Sequence, residues 1–471
     1  IFFGTGIPTI IMVLRQRREN TDVLIIDASK GFIKEGKNNK LRASDIKRIA
    51  DTFIKRESVP KFSRVVSREE IRSNDYNLNI PRYVDSSEAA EHWDVYASMF
   101  GGIPTAEIEE LGEFWTAFPA LKKALFTESG IPYVNVSVDD IKSAIKSHPD
   151  VVGFEDAFNA AFSTFPAFLK EELIDRMESI EISKAETVLS ADIFERLKDI
   201  PLIDKYAAFQ LLDDDWTGIS IDLEVLQTEG FSATKEVDPN LVIKKKDGKD
   251  QEVQEGWVGH IIPFDLVQAT LLSAETDELH GLESRLAEIP SEYESILDEM
   301  TEEDKESCND VLTEEGDAFV PKEVSKKIKE LKKDRSPESV ALRTLLEKVE
   351  SLVKSEKEIK AEIKAKSAAL QAKTKDTIER LSDEQALDLL EKKWIAPLIE
   401  SIHKLPDTVI DSLVSKIQAL QNKYATTFFE VEQQISETEA TLSGMIDDLE
   451  GNEYDMLGLN ELKKLLGGSA E

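Results

Sequence analysis

The first residues of the chain combine aromatic rings, glycines and a proline directly before an apolar run. Phe2, Phe3, Thr5, Gly6 and Pro8 are the side chains of this segment that could do chemistry. Glycine lets a backbone or a flat ligand approach closely, and an aromatic ring at the mouth of a strand can stack on a base that has left a duplex. The same composition is typical of a tight turn feeding a core strand, so both interpretations stay open.

A second segment rich in hydrogen-bonding side chains runs from residue 75 to residue 85 and reads DYNLNIPRYVD. Its two amides, its arginine and its tyrosines could bind phosphate oxygens or base edges. An ordinary loop that closes a domain, with the amides bonded to its own backbone, explains the composition equally. Four residues are therefore candidates for DNA or partner contacts, namely Asn77, Asn79, Arg82 and Tyr83.

The sequence shows no pattern typical of a metal site. The five histidines are scattered, and with the single cysteine, Cys308, they offer no zinc spacing. Asp213, Asp214 and Asp215 lack the alternating spacing and central glycine of a calcium loop, which favours a solvated helix end. Gly4 and Gly6 precede an apolar run, whereas phosphate-binding glycines follow a strand. We expect no metal and no complete catalytic constellation in this chain.

Charge divides the chain into two unequal parts. Residues 1–85 carry 17 lysines and arginines against 11 aspartates and glutamates, a net charge of +6. The remainder carries 41 basic against 82 acidic residues, a net charge of −41. The basic head can contact phosphate, because each neutralised phosphate releases counterions. The acidic body should repel a duplex, so we expect its partners to be proteins.

Hydrophobic patterning predicts buried strands at the start of the chain. Residues 8–14 and 22–27 are apolar runs rich in β-branched side chains, separated by a polar stretch. The first run is shorter than the roughly 20 residues of a membrane span and precedes its arginines, unlike a secretory signal. We therefore expect no membrane association, and a chain that begins inside a fold, because two strands need further partners.

The rest of the chain is predicted to be mainly helical. Residues 86–330 suggest a helical extension with a small β-hairpin near 241–262, where Asp247-Gly248 is a strong turn dipeptide. Within 331–471, apolar residues step by three and four from Leu342 to Ile363 and again from Leu413 to Leu442. These two stretches predict a long antiparallel, coiled-coil-like helical hairpin that serves subunit assembly.

Several stretches of the chain resemble the modification subunits of type I restriction-modification systems. Residues 1–14 followed by 22–30 are similar to the closing strands of their catalytic domain, and DYNLNIPRY at 75–83 is the most specific match. The resemblance continues at 202–210, 392–395 and 451–456. It implies that residues 1–85 are the C-terminal end of an α/β, Rossmann-like methyltransferase domain, followed by the helical extension and hairpin.

The resemblance further implies an N6-adenine methyltransferase that transfers a methyl group from S-adenosylmethionine to duplex DNA in the cytoplasm. A specificity subunit that reads the DNA, packed against the C-terminal helices, and a restriction subunit are the implied partners. Phe2 or Phe3 match the aromatic residue that approaches the flipped adenine, with Thr5, Gly6 and Pro8 at the turn. The family's cofactor loop and its Asn-Pro-Pro-aromatic motif do not occur in this sequence, so we expect this chain alone to be inactive.

Two other classes of protein are compatible with parts of the pattern. Long helices and high charge suggest a structural coiled-coil protein, although such proteins carry a phosphate loop and longer heptad tracts. The acidic body suggests an inhibitor that mimics DNA, although its acidic residues alternate with lysines as on ordinary solvated helix faces. The basic head and the buried strands favour the methyltransferase interpretation over both.

Overall fold

The computed structural model describes residues 9–87, 91–130, 132–246, 249–313, 315–334 and 336–466. These residues form mostly helices, with four small antiparallel sheets. The prediction of a mainly helical chain is therefore confirmed. No helix within these ranges combines the length and the apolar character that a membrane span needs.

The described strands are β1 (Val23–Ile26), β2 (Ile33–Glu35), β3 (Asn38–Lys40), β4 (Ser63–Val66), β5 (Ile103–Pro104), β6 (Phe126–Gly130), β7 (Tyr133–Val136), β8 (Val237–Lys246) and β9 (Lys249–Gly259). The described α-helices are α1 (Ala43–Lys55), α2 (Arg68–Ser73), α3 (Val95–Phe100), α4 (Thr105–Glu109), α5 (Gly112–Ala117), α6 (Leu121–Leu125), α7 (Ile141–Lys146), α8 (Pro149–Phe162), α9 (Phe165–Leu169), α10 (Ile182–Arg196), α11 (Lys205–Glu229), α12 (Phe264–Leu271), α13 (Ser273–Glu299), α14 (Glu302–Ser307), α15 (Pro321–Leu331), α16 (Pro337–Glu379), α17 (Asp383–Trp394), α18 (Ala396–His403), α19 (Leu405–Lys423), α20 (Phe428–Asp447) and α21 (Glu453–Leu466). Tighter 3-10 turns cover Ile80–Arg82 and Phe231–Lys235, and a π-helical turn covers Lys170–Asp175.

The chain divides into two compact units that interleave along the sequence. Unit 1 takes its described residues from the ranges 1–169, 181–218 and 397–471, and unit 2 from 170–180 and 219–396. The consecutive segments predicted from the sequence, 1–85, 86–330 and 331–471, follow a different division. The difference arises because the chain leaves unit 1 and later returns to it, and no local sequence pattern reveals such a return.

In unit 1, the run predicted as a strand at 22–27 forms β1, which pairs with β4 so that Val23 lies opposite Val66. Helix α2 begins after Ser67, whose Oγ accepts a hydrogen bond from the Glu70 amide at 3.2 Å. One small core joins this strand pair, α2 and the end of the 75–85 loop through Ile25, Val66, Ile71, Tyr83 and Val84. The loop is therefore tied to the strands by apolar packing.

The strand predicted at residues 8–14 is not formed in its described part, residues 9–14. Ile11 and Leu14 are 85% and 86% exposed. Within the described residues β1 pairs only with β4, so no strand lies beside this run to bond its backbone groups. The prediction of a strand here is wrong for the described residues because an apolar run needs a neighbouring strand as well as its own composition.

The core of unit 1 unites residues that are far apart in the sequence. Helix α19 packs against α7, and Lys142 and Lys146 pair with Asp411 and Asp407 at 2.8 and 2.6 Å. These pairs are half exposed and screened by solvent, so they add little stability and the apolar packing dominates. The buried apolar residues of this core include Phe118, Leu121, Ile145, Phe154, Ile410, Leu413 and Ile417.

The long helical hairpin of the structure lies in unit 2 and joins α13 to α16. Lys373 bonds to Glu275 near one end of the pair, and Lys348 to Glu299, at 3.2 Å, near the other, so the two helices are antiparallel. Glu356, the polar residue that interrupts the apolar steps from Leu342 to Ile363, accepts a hydrogen bond from Tyr293 Oη at 3.1 Å. The predicted partner of α16, a helix beyond residue 407, is thus replaced by the preceding helix α13.

The second long helix predicted after residue 407 consists of two helices, α19 and α20. Helix α19 ends at Tyr424, and Thr427 starts α20 with a capping box in which its Oγ1 and the Glu430 carboxylate each accept an amide hydrogen bond at 3.1 Å. Tyr424 is buried, and its hydroxyl bonds to Glu107. The apolar periodicity continues across this break, which explains why periodicity alone predicts one helix.

Strands β8 and β9 pair in the region where a hairpin was expected, with Val242 opposite Val253. The predicted turn, Asp247-Gly248, lies outside the described residues. The ring of Trp257 in β9 lies 3.7 Å from the Lys375 ammonium of α16. This contact attaches the base of the hairpin to α16.

Candidate functional site

The two predicted site segments differ in what the structure says of them. Phe2, Phe3, Thr5, Gly6 and Pro8 lie outside the described residues. Asn77, Asn79, Arg82 and Tyr83 are all described. The described residues contain no group of three His, Cys, Asp or Glu side chains placed to hold a metal ion. The site is therefore built from the 75–85 loop and its surroundings.

The loop begins with two successive residues in the left-handed region of backbone conformation. Asp75 and Tyr76 have φ values of +56° and +57°. The Tyr76 amide donates to the Ile71 carbonyl at 2.9 Å, which turns the chain sharply after α2. Left-handed backbone costs non-glycine residues roughly 1–2 kcal/mol each, so the surrounding contacts must impose it. The turn leaves the Tyr76 side chain 60% exposed.

Within the loop, one predicted residue is buried and fixes the conformation, and the others are exposed to solvent. Asn77 Oδ1 accepts a hydrogen bond from the Asn79 amide at 2.9 Å, as in an Asx turn. Tyr83 is only 5% exposed, and its hydroxyl donates to the Asn77 carbonyl at 2.6 Å. Asn77, Asn79 and Arg82 are exposed. Tyr83 therefore holds the loop closed while the other three predicted residues face solvent.

A shallow cavity of about 430 Å³ lies beside this loop. Tyr76 and Leu78 form part of its wall, together with Arg18 and Arg68. None of the described residues that line it carries a carboxylate. The Arg18 guanidinium is oriented by Asn20 Oδ1, at 3.2 Å, and by the Asp22 carbonyl. The cavity is therefore positively charged and has an aromatic edge.

The far end of the loop is fastened to the end of β1. Ser86 Oγ donates to Asp27 Oδ2 at 2.5 Å, and the Ser29 amide donates to Asp27 Oδ1 at 3.0 Å. Partial burial alone would raise the pKa of Asp27, but the hydrogen bonds from Ser86 and Ser29 outweigh burial and lower it. Asp27 therefore stays ionised and keeps both hydrogen bonds at neutral pH.

The family-like stretch 202–210 packs against α1 in unit 1. Tyr206 Oη lies 3.4 Å from Asp51, and the Arg48 guanidinium lies 5.6 Å from the Tyr206 ring. Burial, with the neighbouring Asp51 carboxylate, raises the pKa of Tyr206, so its phenol stays protonated. Gln210 Oε1 accepts a hydrogen bond from the Ser44 amide at 3.0 Å. This stretch thus joins the body of unit 1 to the basic head.

Sequence reasoning missed the two arginines of the cavity. Arg18 belongs to the basic group that follows the first apolar run, and Arg68 starts α2, 50 residues later. The signal available in the sequence was the net charge of +6 over residues 1–85, which indicates a basic surface without saying which cations share it. Only the pairing of β1 with β4 brings Thr21 and Val23 next to Ile71 and Arg68.

The loop and the described residues of its cavity both lie in the part of the chain that matches a known protein family. Residues 1–92 match the N-6 DNA methylase family. The chain is 35% identical over 96 residues to the type I restriction enzyme MpnII methylase subunit of Mycoplasma pneumoniae, covering 20% of this chain and 18% of that protein. It is 36% identical over 121 residues to the MjaVII methylase subunit of Methanocaldococcus jannaschii, covering 24% of this chain and 21% of that protein.

The MjaVIII methylase subunit of the same archaeon is 36% identical over 101 residues, which are 20% of this chain and 18% of that protein. The chain thus aligns with about a fifth of the length of each of these relatives. No solved structure matches the chain. The resemblance predicted from the sequence is confirmed: the first 92 residues match the N-6 DNA methylase family, and the chain is similar to the methylase subunits of type I restriction enzymes.

Proposed function

We propose that this chain works within the modification subunit of a type I restriction-modification system, which transfers a methyl group to N6 of adenine in duplex DNA. The observation that carries the proposal is the exposed loop with Asn77, Asn79 and Arg82 in the segment that matches the methylase family. The loop lies beside a cavity that Arg18 and Arg68 line and to which no described residue contributes a carboxylate. A structural coiled-coil protein is less well supported, because α16 already packs on α13 and α15 within the chain.

The loop is suited to contact the backbone of DNA. A guanidinium can donate two parallel hydrogen bonds to a phosphate, and exposed amides can bond phosphate oxygens or base edges. Among the described residues Arg82 makes no ion pair, so its charge is available to a ligand. Tyr83 acts as a positioning residue through the Asn77 carbonyl. We assign Phe2 or Phe3, with Thr5, Gly6 and Pro8, to the wall that meets the target adenine.

S-adenosylmethionine would supply the methyl group in the intact subunit. It carries a positively charged sulfonium, whereas the cavity beside the loop carries Arg18 and Arg68 and no carboxylate on its described residues. The residues of this cavity do not fit that cofactor. The family's Asn-Pro-Pro-aromatic motif is also absent from the sequence, so the proposed activity is that of the whole subunit.

The C-terminal helices are proposed to bind the specificity subunit, and the restriction subunit to join the same assembly in the cytoplasm. Helix α20 has no buried residue, yet it displays Phe428, Ile435 and Met445 at 67%, 54% and 62% exposure. By contrast, α16 buries its apolar residues against other parts of unit 2. An apolar surface of this kind is typical of a binding site for a partner helix.

The first test is to read the coding sequence upstream of Ile1. The proposal expects a glycine-rich loop after a strand and then Asn-Pro-Pro-Phe or Asn-Pro-Pro-Tyr, and a coding sequence without them contradicts it. The second test is transfer of labelled methyl groups to duplex DNA by the complete subunit, co-expressed with its specificity subunit. Replacing the Phe that meets the adenine, Phe2→Ala or Phe3→Ala, should lower the rate, whereas Phe53→Ala, at a partly exposed residue of α1, should leave the chemical step unchanged.

A further inference from the structure

The solvent face of α15 carries a stripe of lysines. Lys322, Lys326 and Lys329 step along the helix by four and three residues. Lys333 continues the series in the turn that follows, where its amide donates to the Glu330 carbonyl at 3.0 Å. Residues at this spacing lie on one face of a helix, and at 1.5 Å per residue they span about 16 Å. These four lysines form the lysine stripe.

The opposite face of α15 is packed into the core of unit 2. Val324 and Ile328 are 0% and 2% exposed, and they lie in one apolar cluster with Leu342 and Leu346 of α16. Helix α15, all of whose residues are described, exposes no large apolar side chain. The packing therefore fixes the helix so that the lysine stripe faces solvent.

Most of the lysine stripe has no counter-charge within the described residues. No described carboxylate pairs with Lys322, Lys329 or Lys333, whereas Lys326 bonds to Glu323 at 2.8 Å. By contrast, the two lysines that flank the buried face each pair with a carboxylate, at 3.0 and 3.9 Å. Like charges one helical turn apart repel each other, and an anion that bridges them relieves the repulsion. The stripe is therefore suited to bind a ligand with several negative charges in a row.

The local charge at α15 is opposite to that of the surrounding sequence. Residues 321–335 contain seven basic and three acidic residues, a net charge of +4, although the chain beyond residue 85 carries a net charge of −41. Exposed charges more than about 8 Å apart are largely screened at physiological salt. A polyanion that contacts the lysine stripe therefore interacts with these lysines more strongly than with the mean charge of the chain.

The composition of the lysine stripe favours a phosphate backbone over a protein surface. Lysine is depleted in protein interfaces, whose binding energy comes mainly from tryptophan, tyrosine and arginine, and the stripe contains none of these three. Lysine is instead a common source of sequence-independent contacts to phosphates, which follow each other about every 3.4 Å along each strand of a duplex. A membrane surface does not fit, because interfacial helices insert an apolar face, and that face of α15 is buried in the core.

We propose that the lysine stripe binds the backbone of duplex DNA, without reading its sequence, as a DNA contact that lies outside the family-matching residues 1–92. The inference rests on the proposed function in taking duplex DNA as the ligand. It goes beyond that function by giving unit 2 a direct part in DNA binding.

The test measures binding of fluorescent duplexes to the full chain at several salt concentrations. The triple variant Lys322→Gln, Lys329→Gln and Lys333→Gln should bind at least about tenfold less tightly at low salt, and the slope of log affinity against log salt should fall by about 3, one for each lost contact. The matched control removes the same charge at three exposed lysines that each pair with a carboxylate three or four residues earlier, Lys198→Gln, Lys392→Gln and Lys404→Gln. The control should bind as the wild type does.

A second readout needs no substitution. Acetylation of the wild-type chain followed by mass spectrometry reports how accessible each lysine is. Duplex DNA should slow acetylation of Lys322, Lys329 and Lys333 and leave Lys404 unaffected. Lysine and glutamine have similar helix propensities, so both triple variants should keep the wild-type melting curve by circular dichroism.

Three results would overturn the inference. The first is a stripe variant that binds DNA with the affinity and the salt slope of the control. The second is competition by polyglutamate as effective as competition by duplex DNA at equal charge, which would assign the stripe to an acidic protein. The third is self-association of the chain in sedimentation that the stripe variant abolishes, which would assign the stripe to the acidic surface of a second copy.

The arginine variants of the loop and its cavity separate this inference from the proposed function. If Arg68→Ala and Arg82→Ala weaken DNA binding and the stripe variant does not, the inference fails and the proposed function stands. If the stripe variant weakens DNA binding and the complete subunit with its specificity subunit transfers no methyl group to DNA, the inference stands and the proposed function is wrong.

Discussion

The phenolic oxygen of Tyr83 lies 2.6 Å from the main-chain carbonyl oxygen of Asn77, six residues earlier in the chain. This hydrogen bond closes the loop whose exposed residues are Asn77, Asn79 and Arg82. Tyr83 is buried, so the bond is shielded from water and no solvent molecule replaces it easily. The conformation of the proposed DNA-contacting loop therefore depends on a residue that is itself buried.

Tyr83→Phe should loosen this loop without disturbing the rest of unit 1. Removal of the hydroxyl leaves the Asn77 carbonyl without its donor and should cost about 1 kcal/mol of local stability. Hydrogen exchange of the amides between residues 77 and 84 should accelerate. Tyr76→Phe is the control, because Tyr76 is exposed and its hydroxyl accepts a hydrogen bond from the exposed Arg72. Equal acceleration in both variants would show that the Tyr83 bond does not close the loop.

Arg82→Ala and Arg68→Ala should each weaken binding of duplex DNA. Loss of one phosphate contact should lower the affinity for all sequences alike and reduce the slope of log affinity against log salt by about 1. Arg285→Ala is the matched control, since Arg285 lies on α13 and pairs with Glu288 and Glu292. Titration of fluorescent duplexes at several salt concentrations measures both quantities. If the slope is unchanged in both variants, Arg82 and Arg68 do not contact DNA.

Asp222→Asn should destabilise unit 2 more than any surface carboxylate does. Asp222 is only 8% exposed and accepts hydrogen bonds from Lys393 Nζ at 2.5 Å and from Trp394 Nε1 at 2.7 Å. Neutralising it leaves the Lys393 ammonium without its counter-charge, which costs roughly 3 kcal/mol in comparable pairs. Urea unfolding followed by tryptophan fluorescence reports the change. Asp383→Asn, which breaks the exposed pair with Lys235, should shift the curve far less.

The stability of unit 2 should fall as pH rises through the pKa of His260. Its Nδ1 lies 2.6 Å from Asp238 and its Nε2 lies 3.1 Å from Glu229. The hydrogen bond to Asp238, aided by the two carboxylate charges, raises the pKa of His260 despite partial burial. A raised pKa means that the protonated ring stabilises the fold. This stabilisation is complete below the unfolded value near 6.5 and disappears as pH passes the higher folded value.

Thermal melts from about pH 6 to about pH 9 test this pH dependence. His260→Gln should flatten it, whereas His280→Gln, at an exposed position of α13, should retain it. The same slope in wild type and His260→Gln would assign the dependence to other groups.

Local patterns in the sequence predicted local structure well. The β-branched run at residues 22–27 gave strand β1, and the apolar steps from Leu342 to Ile363 fall within helix α16. The composition of DYNLNIPRY predicted a loop and left open whether its amides bind a ligand or the loop's own backbone, and in the structure Asn77 Oδ1 accepts a hydrogen bond from the Asn79 amide. In each case the determining interactions lie within a few residues of one another, so the sequence contains them directly.

The sequence did not indicate which distant helices and side chains pack against each other. The heptads of α16 are compatible with any apolar helix, and only the matched charges of Lys373 with Glu275 and Lys348 with Glu299 show that α13 is the partner. The end of α19 at Tyr424 depends on Glu107, more than 300 residues earlier. For the same reason, neither the sequence around Arg18 nor the sequence around Arg68 indicates that the two side chains line one cavity.

The core of unit 1 has a consequence for how the chain is made. Phe118 and Phe154 pack in one cluster with Ile410 and Ile417, so that core cannot close until α19 has left the ribosome. At translation speeds of about 5–20 residues per second, the earlier half waits on the order of tens of seconds for the later one. During that interval Phe154 and Val151 of helix α8 lack the part of their cover that α19 supplies. Chaperone binding to the nascent chain should therefore peak before α19 is synthesised and fall once it emerges.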